Sequence, residues 1–192
     1  MNTLITGVVL AGGKSERMGE DKGLMPFRGK PLVAYPLQLM RPFCNEILIS
    51  AHDQAYASFG YPVVADKVSG LGPMGGLYSC MLSSANDLHL FLSCDMPLIS
   101  PAIIRLMLPY ARQYEAVVPS VAGEIIPVCG FYHKGILPYL SNEIRLSHLK
   151  MKRFLSQLNT HIVEMQQPEL IAQFRNINTP ADFDALNQYN SL

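Results

Sequence analysis

The sequence predicts an α/β domain built on a mostly parallel sheet. Apolar β-branched runs alternate with stretches of helical periodicity. The chain has 192 residues, 49% of them hydrophobic, enough for one core. Three glycine-, aspartate- or lysine-bearing segments, 10–22, 66–76 and 94–97, follow strand ends directly, where open α/β sheets bind ligands.

The elements read in order. Ile5 to Leu10 is a buried-strand run, and Pro31 to Met40 carries apolar residues at helical spacing, with Pro31 suited to a first turn. Glu46 to Ala51 and Tyr61 to Ala65 are the next strands, Gly75 to Ser84 a helix, and Leu88 to Ser93 a fourth strand. Ser100 caps a helix that opens with Pro101. Ala116 to Pro119 and Val128 to His133 are later strands. Helices follow near 134–141 and 147–158, and a last one starts at Thr179-Pro180. No repeat, low-complexity tract or linker interrupts the chain, so residues 1–192 are expected to form a single domain.

Composition excludes several classes. Lys+Arg and Asp+Glu both total 15, so the formal net charge is zero and gives no footprint for nonspecific nucleic-acid binding. No uncharged apolar run reaches membrane-spanning length, and no positively charged leader precedes the apolar stretch near Leu4. The expectation is a cytoplasmic protein with neither nucleic acid nor membrane as partner. Cys44, Cys80, Cys94 and Cys129 form no Cys-x-x-Cys pair, which reads as free thiols in a reducing compartment.

The first segment has the properties of a phosphate loop. Leu10-Ala11-Gly12-Gly13-Lys14-Ser15-Glu16-Arg17-Met18-Gly19 follows the first strand directly, and small residues let backbone N–H groups approach an anion. Arg17 supplies a two-pronged guanidinium and Lys22 a point charge for phosphate oxygens. Five of the 15 basic residues fall between Lys14 and Lys30. Gly13-Lys14-Ser15 resembles the end of a P-loop, but that motif requires glycine where this chain has Val8. Gly70-Leu71-Gly72-Pro73-Met74-Gly75 matches the dinucleotide pattern, with Asp95 about 20 residues on. Several residues separate Gly70 from the strand ending near Ala65, so a nicotinamide-dependent oxidoreductase is the weaker reading.

Two carboxylates stand at strand ends. Asp66 closes Val64-Ala65-Asp66, and Asp95 follows the fourth strand in Cys94-Asp95-Met96-Pro97. Each suits a turn or cap, but Asp95 also suits Mg²⁺, which takes one or two carboxylates with phosphates and water. Asp66 suits the ribose, the base or a metal-bound water.

Together these segments resemble the molybdenum cofactor guanylyltransferases, the MobA-like nucleotidyltransferases. The match runs through Leu10-Ala11-Gly12-Gly13-x-x-x-Arg17-Met18-Gly19, Asp21-Lys22, Gly29-Lys30-Pro31-Leu32, Asp66, Gly72-Pro73-Met74-Gly75-Gly76, Cys94-Asp95-Met96-Pro97 and Asn176-Ile177-Asn178-Thr179-Pro180. The resemblance implies a Rossmann-like three-layer α/β sandwich of nucleotidyltransferase type. It implies that GTP and the molybdopterin cofactor react to give the guanine dinucleotide form and pyrophosphate. By the family pattern Leu10, Ala11, Gly12, Gly13, Lys22, Asp66 and Asp95 contact GTP, and Asp95 also binds Mg²⁺. Arg17, Lys22 and Asp95 then carry the catalysis. Cytidylate-transferring relatives tend to carry Ala at the position of Gly13, so its missing Cβ points to guanine. Ser50 departs from the family, which often has Asn there. Molybdoenzymes or their chaperones are the implied protein partners.

The acceptor side is less marked. Lys150, Lys152 and Arg153, with His148 nearby, form a second basic cluster that reads first as a solvated helix face and second as a phosphate site. Asn176 and Asn178 suit either the pterin or the turn before the last helix. Alternative functions are a CTP- or sugar-phosphate-using nucleotidyltransferase of the same fold and a non-catalytic nucleotide-binding protein.

Overall fold

The structure is a computed structural model that describes residues 4–12, 21–67 and 70–188. Its first strand, β1 (Ile5–Leu10), is buried along its whole length and matches the apolar run residue for residue. A short hairpin follows, β2 (Pro26–Phe27) and β3 (Lys30–Pro31), then α1 (Ala34–Met40). Arg28 (φ 47°) and Gly29 (φ 78°) turn the hairpin, both left-handed as a two-residue type I′ turn requires. Pro31 therefore pairs with Pro26 and does not open α1, which begins three residues later than the apolar spacing predicts.

The chain continues through β4 (Glu46–Ser50), a 3₁₀ segment at Gln54–Phe59, β5 (Val63–Val64), α2 (Pro73–Ser83) and β6 (Leu88–Ser93). The Asp53 side chain caps the 3₁₀ segment, and left-handed Gly60 (φ 79°) ends it. Helix α3 (Pro101–Met107) starts as expected, with the Ser100 hydroxyl accepting from Ala102 N at 3.3 Å. Then come β7 (Ala116–Val121), β8 (Glu124–Ile125), β9 (Cys129–His133), α4 (Leu137–Arg145), α5 (Met151–Leu155), β10 (Thr160–Met165), α6 (Pro168–Ile171) and α7 (Pro180–Gln188). The 147–158 helix shrinks to α5, because Ser147 is left-handed (φ 58°) and Lys150 extended.

The main sheet has the order β10-β7-β9-β6-β1-β4-β5, with β8 paired to β7. β1 is parallel to β4 and β6, β4 to β5, and β7 to β10; β9 runs antiparallel to β6 and β7. Helices cover both faces. Val33, Leu37 and Met40 of the α1 region, with Ile103, Ile104 and Met107 of α3, pack on Ile5 and Val9. Met74, Leu77 and Met81 of α2, Leu140 of α4 and Phe154 of α5 pack on Val8 and Leu10. The result is the expected three-layer α/β arrangement on a mostly parallel sheet.

A smaller cluster joins the two ends of the chain. Phe27 and Leu32 of the hairpin region bury against Ile177 and Leu186. The Arg28 guanidinium donates to Leu186 O at 2.8 Å and lies 5.0 Å from the Phe27 ring centroid. Among the described residues no helix is long and apolar enough to cross a membrane.

Candidate active site at the carboxyl ends of four strands

The register places four strand ends in one row. Leu10 pairs with Ser93 on one side and Ser50 on the other, and Ser50 pairs with Val64. Asp95 therefore lies beyond β6, Ala11 and Gly12 beyond β1, His52 beyond β4, and Asp66 beyond β5. Three strand spacings separate the two carboxylates, roughly 14 Å along the sheet.

At the β6 end, Lys22 and Asp95 meet. The Lys22 ammonium is 3.6 Å from Asp95 Oδ2, and these side chains are 17% and 20% exposed. It also donates to Asn178 Oδ1 at 2.9 Å. The ion pair's gross attraction is about 4–5 kcal/mol at an effective dielectric of 20. Removing two charges from most of their water consumes much of that, so the pair is no simple stabilising device. Backbone bonds fix Asp95 from both sides: Cys94 N donates to Leu10 O at 3.1 Å, and Ile177 N to Asp95 O at 2.9 Å.

Asp95 Oδ1 is buried and has no hydrogen-bond partner. A carboxylate oxygen without a donor suits a cation, and this is the structural feature that fits Mg²⁺. Among the described residues no cluster of three or more His, Cys, Asp or Glu forms. Mg²⁺ does not need one where phosphates and water complete its shell.

The loop after β1 is described only as far as Gly12; Gly13 and Arg17 lie outside the described residues. Leu10 and Ala11 are 8% and 6% exposed, so they form the floor of the site, and Gly12 is the first exposed residue. The N–H groups of Ala11 and Gly12 both donate to Ser50 O, at 3.0 and 2.9 Å. Both N–H groups are thus engaged within the fold, tying the loop start to the end of β4.

At the β5 end, Asp66 sits beside the first turn of α2. Its Oδ2 would lie 2.9 Å from a Cβ at Gly75, and His52 Nε2 is 3.8 Å away. Burial raises the Asp66 pKa, and His52 partly opposes this. Ser50 is 4% exposed, and a Cβ at Gly76 would come within 2.5 Å of its hydroxyl. The serine is thus sealed beneath α2. The dinucleotide-like glycines have other reasons to be there: Gly70 (φ 80°) and Gly72 (φ 57°) are left-handed, and Gly75 makes room for Asp66.

Lys152, Arg153 and His148 of the second basic cluster meet carboxylates within the fold, while Lys150 is exposed. Lys152 pairs with Glu124, while Arg153 Nε and His148 Nδ1 approach Glu143 Oε2 at 3.3 and 3.4 Å. Glu143 is 4% exposed, so the Arg153 guanidinium balances a buried carboxylate. Asn178 turns its side chain to Lys22, while the Asp182 carboxylate accepts from Asn178 N and Thr179 N, at 3.0 and 2.8 Å. All four cysteines are free, and burial pushes Cys80, Cys94 and Cys129 up to about 12. Sequence reading missed His52, the Lys22–Asn178 bond and Tyr56, a buried side chain on the 3₁₀ segment. No spacing signal marks any of them.

The MobA-like NTP transferase domain family matches residues 7–162. A probable molybdenum cofactor guanylyltransferase of Carboxydothermus hydrogenoformans is 32% identical over 98% of both chains. A molybdenum cofactor guanylyltransferase of Yersinia pseudotuberculosis is 31% identical over 98% of this chain and 97% of its own. Among solved structures, the molybdopterin-guanine dinucleotide biosynthesis protein A from Archaeoglobus fulgidus superposes with a TM-score of 0.81. It is 22% identical, and the match covers 95% of this chain and 97% of that one. The strand-end row, the Lys22–Asp95 pair and these likenesses agree: the chain belongs to the MobA-like NTP transferase family and is a nucleotidyltransferase.

Proposed function

We propose that the chain transfers GMP from GTP to the terminal phosphate of the molybdopterin cofactor, with release of pyrophosphate. The observation that carries this reading is the pairing of Lys22 with Asp95 at the end of a row that begins at Asp66. The whole chain serves as one nucleotidyltransferase domain. GTP lies along the row, its nucleoside toward Asp66 and its phosphates toward Lys22. Asp66 accepts from a ribose hydroxyl or a base N–H. The ends of Leu10 and Ala11 form the floor, and the family resemblance assigns Gly12, Gly13 and Arg17 to the phosphates.

The acceptor phosphate attacks the α-phosphorus in line, so the protein has chiefly to position groups and balance charge. Lys22 leaves its loose contact with Asp95 for the leaving pyrophosphate, while Asn178 keeps its side chain directed at the site. Asp95, whose buried Oδ1 has no hydrogen-bond donor, would hold Mg²⁺. Bound there, the ion would neutralise charge on the phosphate oxygens. The missing Cβ at Gly13 supports guanine over cytosine, and the pairing of Lys152 with Glu124 and of Arg153 with Glu143 leaves Lys150 as the exposed cation of that cluster.

The test is GMP transfer and pyrophosphate release with Mg²⁺, alongside calorimetry with GTP, CTP and ATP. GTP should bind tightest, and Asp95→Asn and Lys22→Ala should each lower transfer by about 10²–10³. Variants within a few-fold of wild type would remove both residues from the mechanism. Tighter binding of CTP would reassign the nucleotide.

A further inference from the structure

Tyr56 meets the site from below. It is fully buried, and its hydroxyl lies 2.5 Å from Asp21 Oδ1 and 3.3 Å from Ala11 O. The same Asp21 oxygen accepts from Gly23 N at 3.0 Å and so caps the 3₁₀ turn Lys22–Leu24. That turn presents Lys22 to Asp95 and Asn178. One phenolic hydrogen therefore serves the end of β1 and the base of the lysine turn. The charged Asp21 oxygen, nearer than Ala11 O, is its main acceptor.

The fit is close. A Cβ on Gly23 would lie 2.1 Å from the Tyr56 hydroxyl oxygen, so only glycine allows the turn to rest on the phenol. The ring belongs to the same core cluster as Ala11, Ala51 and Cys94, which ties it to three of the strand-end segments. Burial, and then the bond to Asp21, raise its pKa, so the hydroxyl keeps the proton it donates.

We infer that Tyr56 is a positioning residue for nucleotidyl transfer: its hydroxyl fastens Asp21 to the end of β1 and so sets where Lys22 stands. It touches neither nucleotide nor acceptor. The inference rests on the role given above to Lys22, and the test separates the two.

Tyr56→Phe removes one oxygen and keeps the ring, so the core should stay intact by circular dichroism. Amide hydrogen exchange at Gly23 and Leu24 should quicken at least tenfold, with β1 and β6 unchanged. Transfer should fall about tenfold in kcat, and by less than twofold when Tyr56→Phe is added to Lys22→Ala. Unchanged exchange at Gly23 would overturn the inference whether or not the chain uses GTP. An equal tenfold loss in the Lys22→Ala background would also overturn it, because the tyrosine would then act on the fold at large. Quickened exchange in a chain that does not turn over GTP would count against the functional reading and leave the positioning role standing.

Discussion

Asp66 leaves β5 into a position only 15% exposed, where burial raises its pKa and His52 is a distant counter-charge. A carboxylate with a raised pKa binds its proton more readily in the folded chain than in the unfolded one. Stability is therefore lost as pH climbs from the ordinary value of 3.8 through the raised one, and stays lower above it. Asp66→Asn should raise the melting temperature at pH 7 and change it little below pH 3.8. It should also weaken GTP binding about tenfold, the value of one hydrogen bond to a charged group. A variant that gains no stability at pH 7 would refute the burial argument. At this scale the sequence was informative where a residue's chemistry is unusual for its setting, as for Asp66 and Asp95 after apolar strands. It was silent about Tyr56, because nothing in Asp53-Gln54-Ala55-Tyr56 shows that the ring folds back under a loop 45 residues earlier.

Among the elements, the central strands and β5 were legible, while β10 and the two hairpins were not. β1 and β6 are buried on both faces, so their composition alone marks them. β10 lies at the sheet edge, where Ile162 is 45% exposed and Glu164 takes the Ser120 hydroxyl, so its apolar pattern is diluted. The two hairpins escaped notice for another reason. Both turns lack the usual Asn or Asp: Arg28-Gly29 joins β2 to β3, and Ala122-Gly123 joins β7 to β8, each pair with positive φ. Ala122, at φ 50° and exposed, bears the cost of a Cβ in the left-handed region. Ala122→Asn should stabilise the chain by about 1 kcal/mol, a rise of roughly 2–4 °C in melting temperature. A fall would mean that this turn is not type I′.

In the whole molecule, the carboxyl ends of the strands carry the chemistry, and the opposite ends carry a buried polar network. Thr6, Glu46, Ser84 and Asn86 are linked there by hydrogen bonds, and Lys134 donates to Ser84 O. His89, between Thr6 and Tyr132 in the sheet, is fully buried, and neither ring nitrogen has a partner. Burial, then Lys134, lower its pKa from 6.5 to about 4; Glu46 opposes them, and His133 and Asp87 add lesser effects of opposite sign. The folded chain thus binds fewer protons than the unfolded chain between those values. The contribution of His89 to stability is full above pH 6.5 and declines toward pH 4, by up to about 3 kcal/mol. Melting between pH 7 and pH 4.5 should show this decline, and His89→Phe should flatten most of it. An unaltered slope would assign the acid sensitivity elsewhere. The layered fold was readable because strand–helix alternation admits few topologies. The clustering of chain ends was not, since it depends on Phe27, Leu32, Ile177 and Leu186 meeting across the sequence. That meeting has a temporal consequence. Lys22 is made first, and Asn178, which holds it, comes 156 residues later. On a ribosome the strands around β1 can assemble while the lysine still awaits its anchor. Lys22 therefore gains its Asn178 partner only once the segment before α7 has docked beside the hairpin.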